Sequence, residues 1–337
     1  MNNEPSQLPL QRPKHRILRG LVSLLVFVAI AAGAYFYGPI AVDAVRASSF
    51  HPNTDISSVD SRIDLTARGQ QIFYATAPVI EDRDAFNGNC ESIERTAAIL
   101  GCYVRDRIYL YNIQDNELDG ALEVTAAHEM LHAAYARLNI FEQARVNKMI
   151  NAEYAKIKDN PDIKQEMQYY AQAEPGEEIN ELHSIIGTTI KDLPANLEQY
   201  YARYFTNRAS IVAMNTKYTA VFDEVNQQAS DLQDKITSEA AAIKQASAQY
   251  NADLTQLNSD IESFNERATG GGFSSQYAFT VAHDALSTRI QQMKDRQATL
   301  NQQIDTYNAD VAEYNKLAVR AKQLNQSING VEAPDSI

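Results

Sequence analysis

Basic side chains are scarce in this sequence. Its 337 residues include 30 lysines and arginines against 43 aspartates and glutamates, so the formal net charge is -13 at pH 7. A protein that binds nucleic acid needs a basic face to neutralise phosphates, and no long stretch of this chain supplies one. We therefore expect no nucleic-acid partner. The hydrophobic content of 45% is ample for a packed core of ordinary size.

Cysteine is also rare. Cys90 and Cys102 are the two cysteines of the chain, twelve positions apart. A short helix or a hairpin loop would bring their thiols together, so the spacing permits a disulfide. Cytosolic thiols usually stay reduced, and the bond is therefore expected only if this part of the chain lies in an oxidising compartment.

One long stretch carries no charge at all. Residues 21–42, LVSLLVFVAIAAGAYFYGPIAV, have about the length that a helix needs to cross the hydrocarbon core of a bilayer. Four basic residues precede the stretch, and Asp43 and Arg46 are the first charges after it. The positive-inside rule then puts the N-terminus in the cytoplasm and the rest of the chain on the extracytoplasmic side. On this topology we predict a single-pass membrane protein with a disulfide between Cys90 and Cys102.

A cleaved signal peptide is the alternative for the same stretch. Small residues of the kind that a signal peptidase accepts occur at Ala29-Ile30-Ala31 and Ala32-Gly33-Ala34. The apolar run nevertheless continues through Tyr35, Phe36 and Tyr37, aromatic residues suited to a membrane interface. An uncleaved anchor fits this pattern better.

The residue composition of the next part of the chain changes twice. Residues 43–70 are polar and show no sustained periodicity, which predicts a linker. β-branched and aromatic residues cluster at 72–74 and again at 107–113, which predicts a small sheet. Apolar residues at helical spacing predict a helix from about 120 to 138, with Asp119 as a candidate cap. Further helices are predicted after Asn139, around 163–172 and after Pro175.

Histidine is rare as well, with six in the chain, yet two of them bracket a glutamate in His128-Glu129-Met130-Leu131-His132. Residues four apart share one face of a helix, so His128 and His132 can direct ring nitrogens at one metal ion. Glu129 can then act as general base, taking a proton from a zinc-activated water and passing it to the leaving amine. This HExxH pattern is the zincin arrangement and predicts a Zn²⁺-dependent peptidase. The alternative is a pair of packed or hydrogen-bonded histidines that bind no metal ion.

A zinc site of this kind needs a third protein ligand, and His132 is not followed by the further histidine of metzincins. The run from Ile179 to Gly187, INELHSIIG, resembles the glutamate-ligand helix of gluzincins, particularly thermolysin-like peptidases. The resemblance implies a gluzincin-type site in which Glu181 joins His128 and His132 on zinc. It covers HExxH and about nine further residues, with 48 residues between His132 and Glu181.

The sequence departs from the family at Ile185, where thermolysin-like enzymes carry an aspartate that supports a ligand histidine. Ser184 or a backbone carbonyl would have to take that role. Glu177 and Glu178 remain alternative ligands from the preceding turn. His183 is a rival, but two residues along a helix turn it roughly 200° away from Glu181, so both cannot bind one ion.

Two further features are implied by the family alone. Gluzincins stabilise the oxyanion with a Tyr, His or Arg, and they bind extended substrate on an edge strand just before the HExxH helix. Residues 107–113 occupy that place in this chain. The oxyanion candidates, among which spacing does not choose, are Tyr169, Tyr170, Tyr200, Tyr201, Arg203 and Tyr204.

Proline is absent between Pro194 and Pro334. Across this region apolar residues alternate at spacings of three and four, and Gly270-Gly271-Gly272 interrupts the pattern. Two helices of roughly 50 to 60 residues, about 80 Å long, would form an antiparallel coiled-coil hairpin. A bundle folded against the catalytic domain is the alternative.

Together these patterns predict an α+β, mainly α chain, with a zincin-like metallopeptidase domain followed by the hairpin. The expected activity is extracytoplasmic hydrolysis of a protein or peptide substrate, and the coiled-coil arm is expected to contact a protein partner. The competing hypothesis is a non-enzymatic envelope scaffold or adaptor acting through that arm. The predicted segments are a cytoplasmic tail (1–20), a transmembrane helix (21–42), a linker (43–70), the metallopeptidase domain (71–208), the hairpin (209–329) and a tail (330–337).

Overall fold

A computed structural model describes residues 14–90, 100–173 and 175–328. The predicted tail 330–337 and the first thirteen residues of the predicted cytoplasmic tail lie outside this range. The chain is mainly α with one small sheet, as predicted. Its strands are β1 (Val79–Glu81), β2 (Gly101–Val104) and β3 (Arg107–Tyr111). Its helices are α1 (Lys14–Ser49), α2 (Thr54–Ile63), α3 (Ala67–Ala75), α4 (Arg83–Cys90), α5 (Ala121–Ala136), α6 (Ile140–Ile157), α7 (Pro161–Ala173), α8 (Glu178–Thr189), α9 (Ala195–Tyr201), α10 (Arg208–Thr269) and α11 (Gln276–Ile328).

The described residues fall into two compact units. The first runs to Tyr218, and the second comprises Thr219–Ser327. The sequence placed the boundary after residue 208, where α10 begins. The first turns of α10 instead belong to the first unit, because Ile211 is buried in its core and Met214 and Tyr218 pack against that core.

The predicted membrane segment is helical. It lies within α1, and the stretch Leu21–Ser49 is long and apolar enough to cross a membrane. Its large apolar side chains, among them Leu25, Phe27 and Ile30, are exposed in the protein. Such a surface is suited to lipid rather than to water.

The prediction of a linker at 43–70 is wrong. α1 continues to Ser49, and α2 and α3 follow it. Ile56, Val59 and Ile63 form one buried face of α2 at spacings of three and four, whereas Ser57, Ser58, Ser61 and Arg62 are exposed. We mistook the polar face of this short amphipathic helix for a structureless stretch.

The prediction of a strand at 72–74 is also wrong. These residues belong to α3, where Thr66 caps the first turn and Ile72 and Phe73 enter the core. β-branched and aromatic residues favour strands only weakly, and packing against α1 and α5 decides the outcome here. The core of the first unit therefore begins before residue 71, where the sequence placed the start of the domain, since α2 already contributes to it.

The sheet has the strand order β1-β3-β2. β1 is parallel to β3, and β2 is antiparallel to it. The strand predicted at 107–113 is confirmed as β3, but its place at the edge is wrong, because β3 is paired on both sides. Among the described strands, the antiparallel edge is β2.

The predicted HExxH helix is confirmed as α5. Its N-cap is Gly120, with φ of 101°, and not Asp119. Asp119 instead pairs with Arg62, at 2.8 Å, and with Lys217, at 2.7 Å. The helix is buried along most of its length, and α8 makes its most extensive packing contact.

The predicted disulfide is confirmed. Cys90, at the end of α4, is bonded to Cys102 of β2. The two cysteines form a small core with Phe86 and Tyr111 that lies apart from the main core. The bond thus fastens the edge strand to the helix packed on the sheet.

The second unit consists of α11 and most of α10. The pattern that predicted two long helices around Gly270-Gly271-Gly272 is confirmed to that extent. Partners advance along one helix as they recede along the other, so the helices run antiparallel. The ion pairs that fix this direction are Lys235–Asp310, Asp253–Arg296 and Asp260–Arg289.

Candidate metal centre

Three predicted ligands converge in the first unit. Nε2 of His128 lies 3.1 Å from Oε1 of Glu181, and Nε2 of His132 lies 3.3 Å from Oε2 of the same carboxylate. The two ring nitrogens are themselves 3.1 Å apart. All the ligand atoms lie within 4.8 Å of one another. One ion of ordinary size could therefore contact all three residues.

Two helices position these side chains. His128 and His132 are one turn apart on α5, and Glu181 lies in the first turns of α8. α8 approaches α5 closely at Gly187, where a Cβ atom would come within 2.4 Å of Leu131 Cδ1 and 2.8 Å of Tyr201 Cε1. A side chain at position 187 would clash with Leu131 and Tyr201, so glycine is required there for the close approach of α8 to α5.

The charges in the cluster are strongly coupled. Burial disfavours the charged imidazolium, but the carboxylate of Glu181 outweighs it and raises the pKa of His132 to about 9. The pKa of His128 is raised for the same reasons. Burial would raise the pKa of Glu181, but the two histidines hold it well below its usual range. The site therefore favours a cationic occupant beside Glu181, which can be a proton or a metal ion.

The donor set fits a metal ion. Oε1 of Glu181 is buried and accepts no hydrogen bond of good geometry from the described residues, even though a ring nitrogen of His128 lies 3.1 Å away. A carboxylate and two imidazoles, all electron-pair donors, face one another across the gap. Such a set suits zinc among the common divalent ions.

Glu129 lies beside the cluster on α5 and is buried. Its Cγ and Oε1 would lie 2.8 and 3.0 Å from a Cβ atom at Gly101 of β2. The edge strand therefore packs directly on this side chain, and glycine at position 101 leaves the room for it.

The alternative ligands lie elsewhere. The carboxylate of Glu178 accepts a hydrogen bond from the backbone of Gly176, and that of Glu177 accepts one from Asn180. His183 is fully buried, and its Nε2 lies 2.8 Å from the hydroxyl of Tyr200. Burial and the two cluster histidines lower the pKa of His183 to about 3, so the ring is neutral. His183 packs away from the cluster, as the helical geometry predicted.

The support expected from Ser184 is not found. Its hydroxyl is buried and has no hydrogen-bond partner among the residues described. Asn180 is the neighbour that acts on the cluster, since its side chain contributes to the raised pKa of His132. The sequence contained a signal for this residue, because Asn180 is the first member of the Asn-Glu pair in the run that resembles gluzincins.

The aromatic candidates for an oxyanion donor separate into two groups. The hydroxyls of Tyr200 and Tyr201 engage His183, through its ring and its backbone carbonyl respectively, which makes them core residues. Arg203 is paired with Glu142 and covers the rings of Tyr200 and Tyr204. The second group, Tyr169 and Tyr170, lies on α7.

Sequence reasoning missed Glu166, which also lies on α7. Burial and the nearby carboxylates of Glu181 and Asp162 raise its pKa to about 7, against an opposing effect of His128. Glu166 therefore carries a carboxyl group that can exchange protons near neutral pH. This group lies close enough to His128 and Glu181 to interact with their charges. No spacing distinguishes it from the other glutamates in the sequence, so only the packing of α7 against α8 reveals it.

No protein-family model matches the chain, and neither the curated proteins nor the solved structures include a match to it.

Proposed function

We propose that the chain is a membrane-anchored, extracytoplasmic zinc metallopeptidase of gluzincin type. The observation that carries the proposal is the convergence of His128, His132 and Glu181 on one point, with Glu129 buried on the same helix beside it. Two nitrogen ligands and one carboxylate leave a fourth position open, as in catalytic rather than structural zinc sites.

In the proposed mechanism Glu129 is the general base and then the general acid. A zinc ion held by His128, His132 and Glu181 would supply Lewis-acid polarisation of the scissile carbonyl and a water of lowered pKa. Glu129 takes a proton from the water and returns it to the leaving amine. Its burial against Gly101 holds the carboxylate in place and limits competing water. Glu166, Tyr169 and Tyr170 on α7 are the candidates for contacts to substrate, and no step is assigned to them.

Substrate binding on β2 replaces the earlier assignment to 107–113. β2 is antiparallel to β3 and forms the described edge of the sheet, and its first residue packs on Glu129. An extended peptide that pairs with this edge would bring its backbone past the catalytic carboxylate. A protein or peptide segment without fixed structure is the substrate class that such an edge accepts.

The disulfide and the apolar helix support the proposed location. α1 could cross a membrane, and a Cys90–Cys102 bond is stable in an oxidising compartment. A cytoplasmic N-terminus with an external catalytic domain agrees with both features. The antiparallel pair α10 and α11 is proposed to be a coiled-coil arm that contacts a protein partner or selects substrate. A scaffold acting through that arm remains the competing function.

Four variants of the full chain test the enzyme. In detergent, the parent should bind close to one zinc per chain and hydrolyse fluorescently labelled casein. Glu129→Gln should keep the zinc and lose about 100-fold or more in activity, since the proton acceptor is gone. His128→Ala and Glu181→Ala should lose zinc affinity, and excess zinc should partly restore activity in the latter.

Glu178→Ala is the matched control, because Glu178 lies in the same turn of α8 but bonds to Gly176. It should keep both zinc and activity. A folded parent that takes up no zinc would refute the enzyme, and so would hydrolysis by Glu129→Gln at the parent's rate. A parent that binds zinc but cleaves nothing would favour the scaffold.

A further inference from the structure

A cavity of about 500 Å³ lies where α1 meets the catalytic unit. One wall is formed by the α1 residues Tyr35, Phe36, Tyr37, Pro39 and Ile40. The opposite wall is formed by the end of α5, the start of α6, one residue of α3 and two residues of the segment after α9. The cavity is separate from the metal cluster, and none of the four residues assigned to the zinc chemistry lines it.

The position of the cavity along α1 sets its depth in a bilayer. Tyr35 and Ile40 lie about 20 and 30 Å along the helix axis from Leu21, at 1.5 Å per residue. The hydrocarbon core is about 30 Å thick, so an α1 that enters it near Leu21 reaches the far interface at these residues. Tyr35 and Tyr37 are also the type of residue that collects at headgroup level.

The charge of the cavity suits an anion. Its charged lining residues are three arginines, Arg68, Arg137 and Arg203, and one glutamate, Glu142. Four of the five N–H donors of Arg137 are engaged, by Asp43, Asp106, Tyr103 and a backbone carbonyl.

Arg68 and Arg203 have donors left over. An arginine carries five N–H donors. Within the described part of the chain, Arg203 donates to Glu142 alone, at 3.3 Å. Arg68 donates to Gln71 at 3.2 Å and lies 3.3 Å from Asp43. Two guanidinium groups in one cavity that retain unused N–H donors can donate hydrogen bonds to the oxygens of a phosphate.

Two exposed apolar residues lie next to the cavity in the chain. Ile140 and Phe141 begin α6 directly after the lining residues Leu138 and Asn139, and they are 64% and 65% exposed. Exposed large apolar residues next to an interfacial helix enter the boundary between headgroups and acyl chains.

From these observations we propose that the cavity binds the phosphate of a membrane phospholipid, held by Arg68 and Arg203, and that Ile140 and Phe141 enter the same leaflet. The acyl chains then lie against the aromatic residues of α1. The first unit is thereby held against the bilayer surface and does not move independently of α1. The inference depends on α1 as a membrane anchor but not on the metal chemistry.

Native mass spectrometry of the detergent-solubilised full chain tests the lipid site. The parent should retain one phospholipid through detergent exchange. Arg68→Gln/Arg203→Gln should retain at least fivefold less. The control Arg145→Gln/Lys148→Gln removes the same charge from exposed positions on α6 and should behave as the parent. Equal retention by the two double variants, or none by the parent, overturns the proposal.

The absence of tryptophan gives a second test. Phe141→Trp introduces a single tryptophan, and brominated phospholipids in vesicles should quench its fluorescence. Lys158→Trp, exposed at the other end of α6, is the control and should be quenched at least threefold less. Equal quenching of the two variants, or none at position 141, overturns the proposed insertion of Phe141 into the bilayer. Extraction of the chain from membranes by alkaline carbonate would refute the anchor and this inference together, and would leave the zinc results untouched.

Discussion

The residues of the candidate metal cluster also bind protons, and a metal ion would have to compete with those protons. The carboxylate of Glu181 raises the pKa of His132 to about 9, so the metal-free ring keeps its proton at neutral pH. The interaction of that charged ring with Glu181 stabilises the metal-free fold below the ordinary histidine pKa of about 6.5. As pH rises through about 9 the ring loses its proton, and this contribution is lost.

Zinc affinity should therefore rise with pH. Between about pH 6.5 and 9 we expect roughly a tenfold gain per unit for each proton that zinc displaces. Competition with a chromophoric chelator at constant ionic strength would measure it. His283→Ala, in the second unit, should follow the same curve. An affinity that stays flat across this window would contradict a protonated His132 in the metal-free protein.

Gly101 is a second residue on which the site depends. A Cβ atom there would lie 2.6 Å from Thr125 Cγ2 and 2.8 Å from Glu129 Cγ. Gly101→Ala should therefore displace Glu129 or the edge strand and lower kcat by about tenfold or more, because misplacement of a catalytic group is costly. Zinc content should be unchanged, since neither histidine is touched.

Gly88→Ala is the matched control for that prediction. It lies in α4, and no heavy atom lies within 4 Å of the added carbon. It should keep the kcat of the parent. If Gly101→Ala hydrolyses casein as fast as Gly88→Ala, the packing of β2 on Glu129 has no part in catalysis.

At the scale of elements, a buried ion pair joins α1 to the residue that follows α5. Arg137, the residue that follows α5, donates to both carboxylate oxygens of Asp43, at 2.9 and 3.1 Å. The two side chains are only 9% and 4% exposed. Arg137 also reaches Asp106 in the turn between β2 and β3, at 2.8 Å. One side chain thus connects the end of the anchor, the HExxH helix and the sheet.

Asp43→Asn should destabilise the first unit by about 3 kcal/mol, because it leaves a guanidinium buried with one countercharge fewer. Thermal unfolding of the full chain in detergent, followed by circular dichroism, would show a lower midpoint. Asp159→Asn removes an exposed carboxylate between α6 and α7 and should leave the midpoint unchanged. Equal midpoints for the two variants would mean that the pair with Arg137 contributes nothing.

At the scale of the whole molecule, the segment that follows the long apolar helix α1 is part of the core. Ile56, Val59 and Ile63 of α2 are buried in the main core, each worth about 1.5 to 3 kcal/mol. Their sum is comparable to the total stability of a typical domain. A first unit cut at residue 71, where the sequence placed the start of the domain, lacks this layer.

Two truncated chains test this point. Residues 43–337 should fold and bind zinc, because they retain α2, α3 and Asp43. Residues 71–337 should show no cooperative unfolding of the first unit and should bind less than a tenth of the zinc. Circular dichroism and metal analysis of both would decide. A shorter chain that binds zinc as the longer one does would restore the domain start at residue 71.

The sequence by itself determined the elements whose signal is local. A charge-free run of bilayer length marks α1, and the lack of proline with a steady three-and-four spacing marks α10 and α11. His128 and His132 share a face of α5 by helical geometry, which needs no information from the rest of the chain. Glu181 was found only because its neighbours resemble a known ligand helix.

Tertiary structure alone decided the features that depend on distant partners. Ile56, Val59 and Ile63 have helical spacing, but the core that α2 meets is what shows that they form a buried face of the first unit. The order of the sheet put β2 at the edge, and strand order cannot be inferred from the strands one by one. Glu166 gained its role from the packing of α7 against α8. Burial and charge proximity are properties of the folded chain, and for this reason no local pattern encodes them.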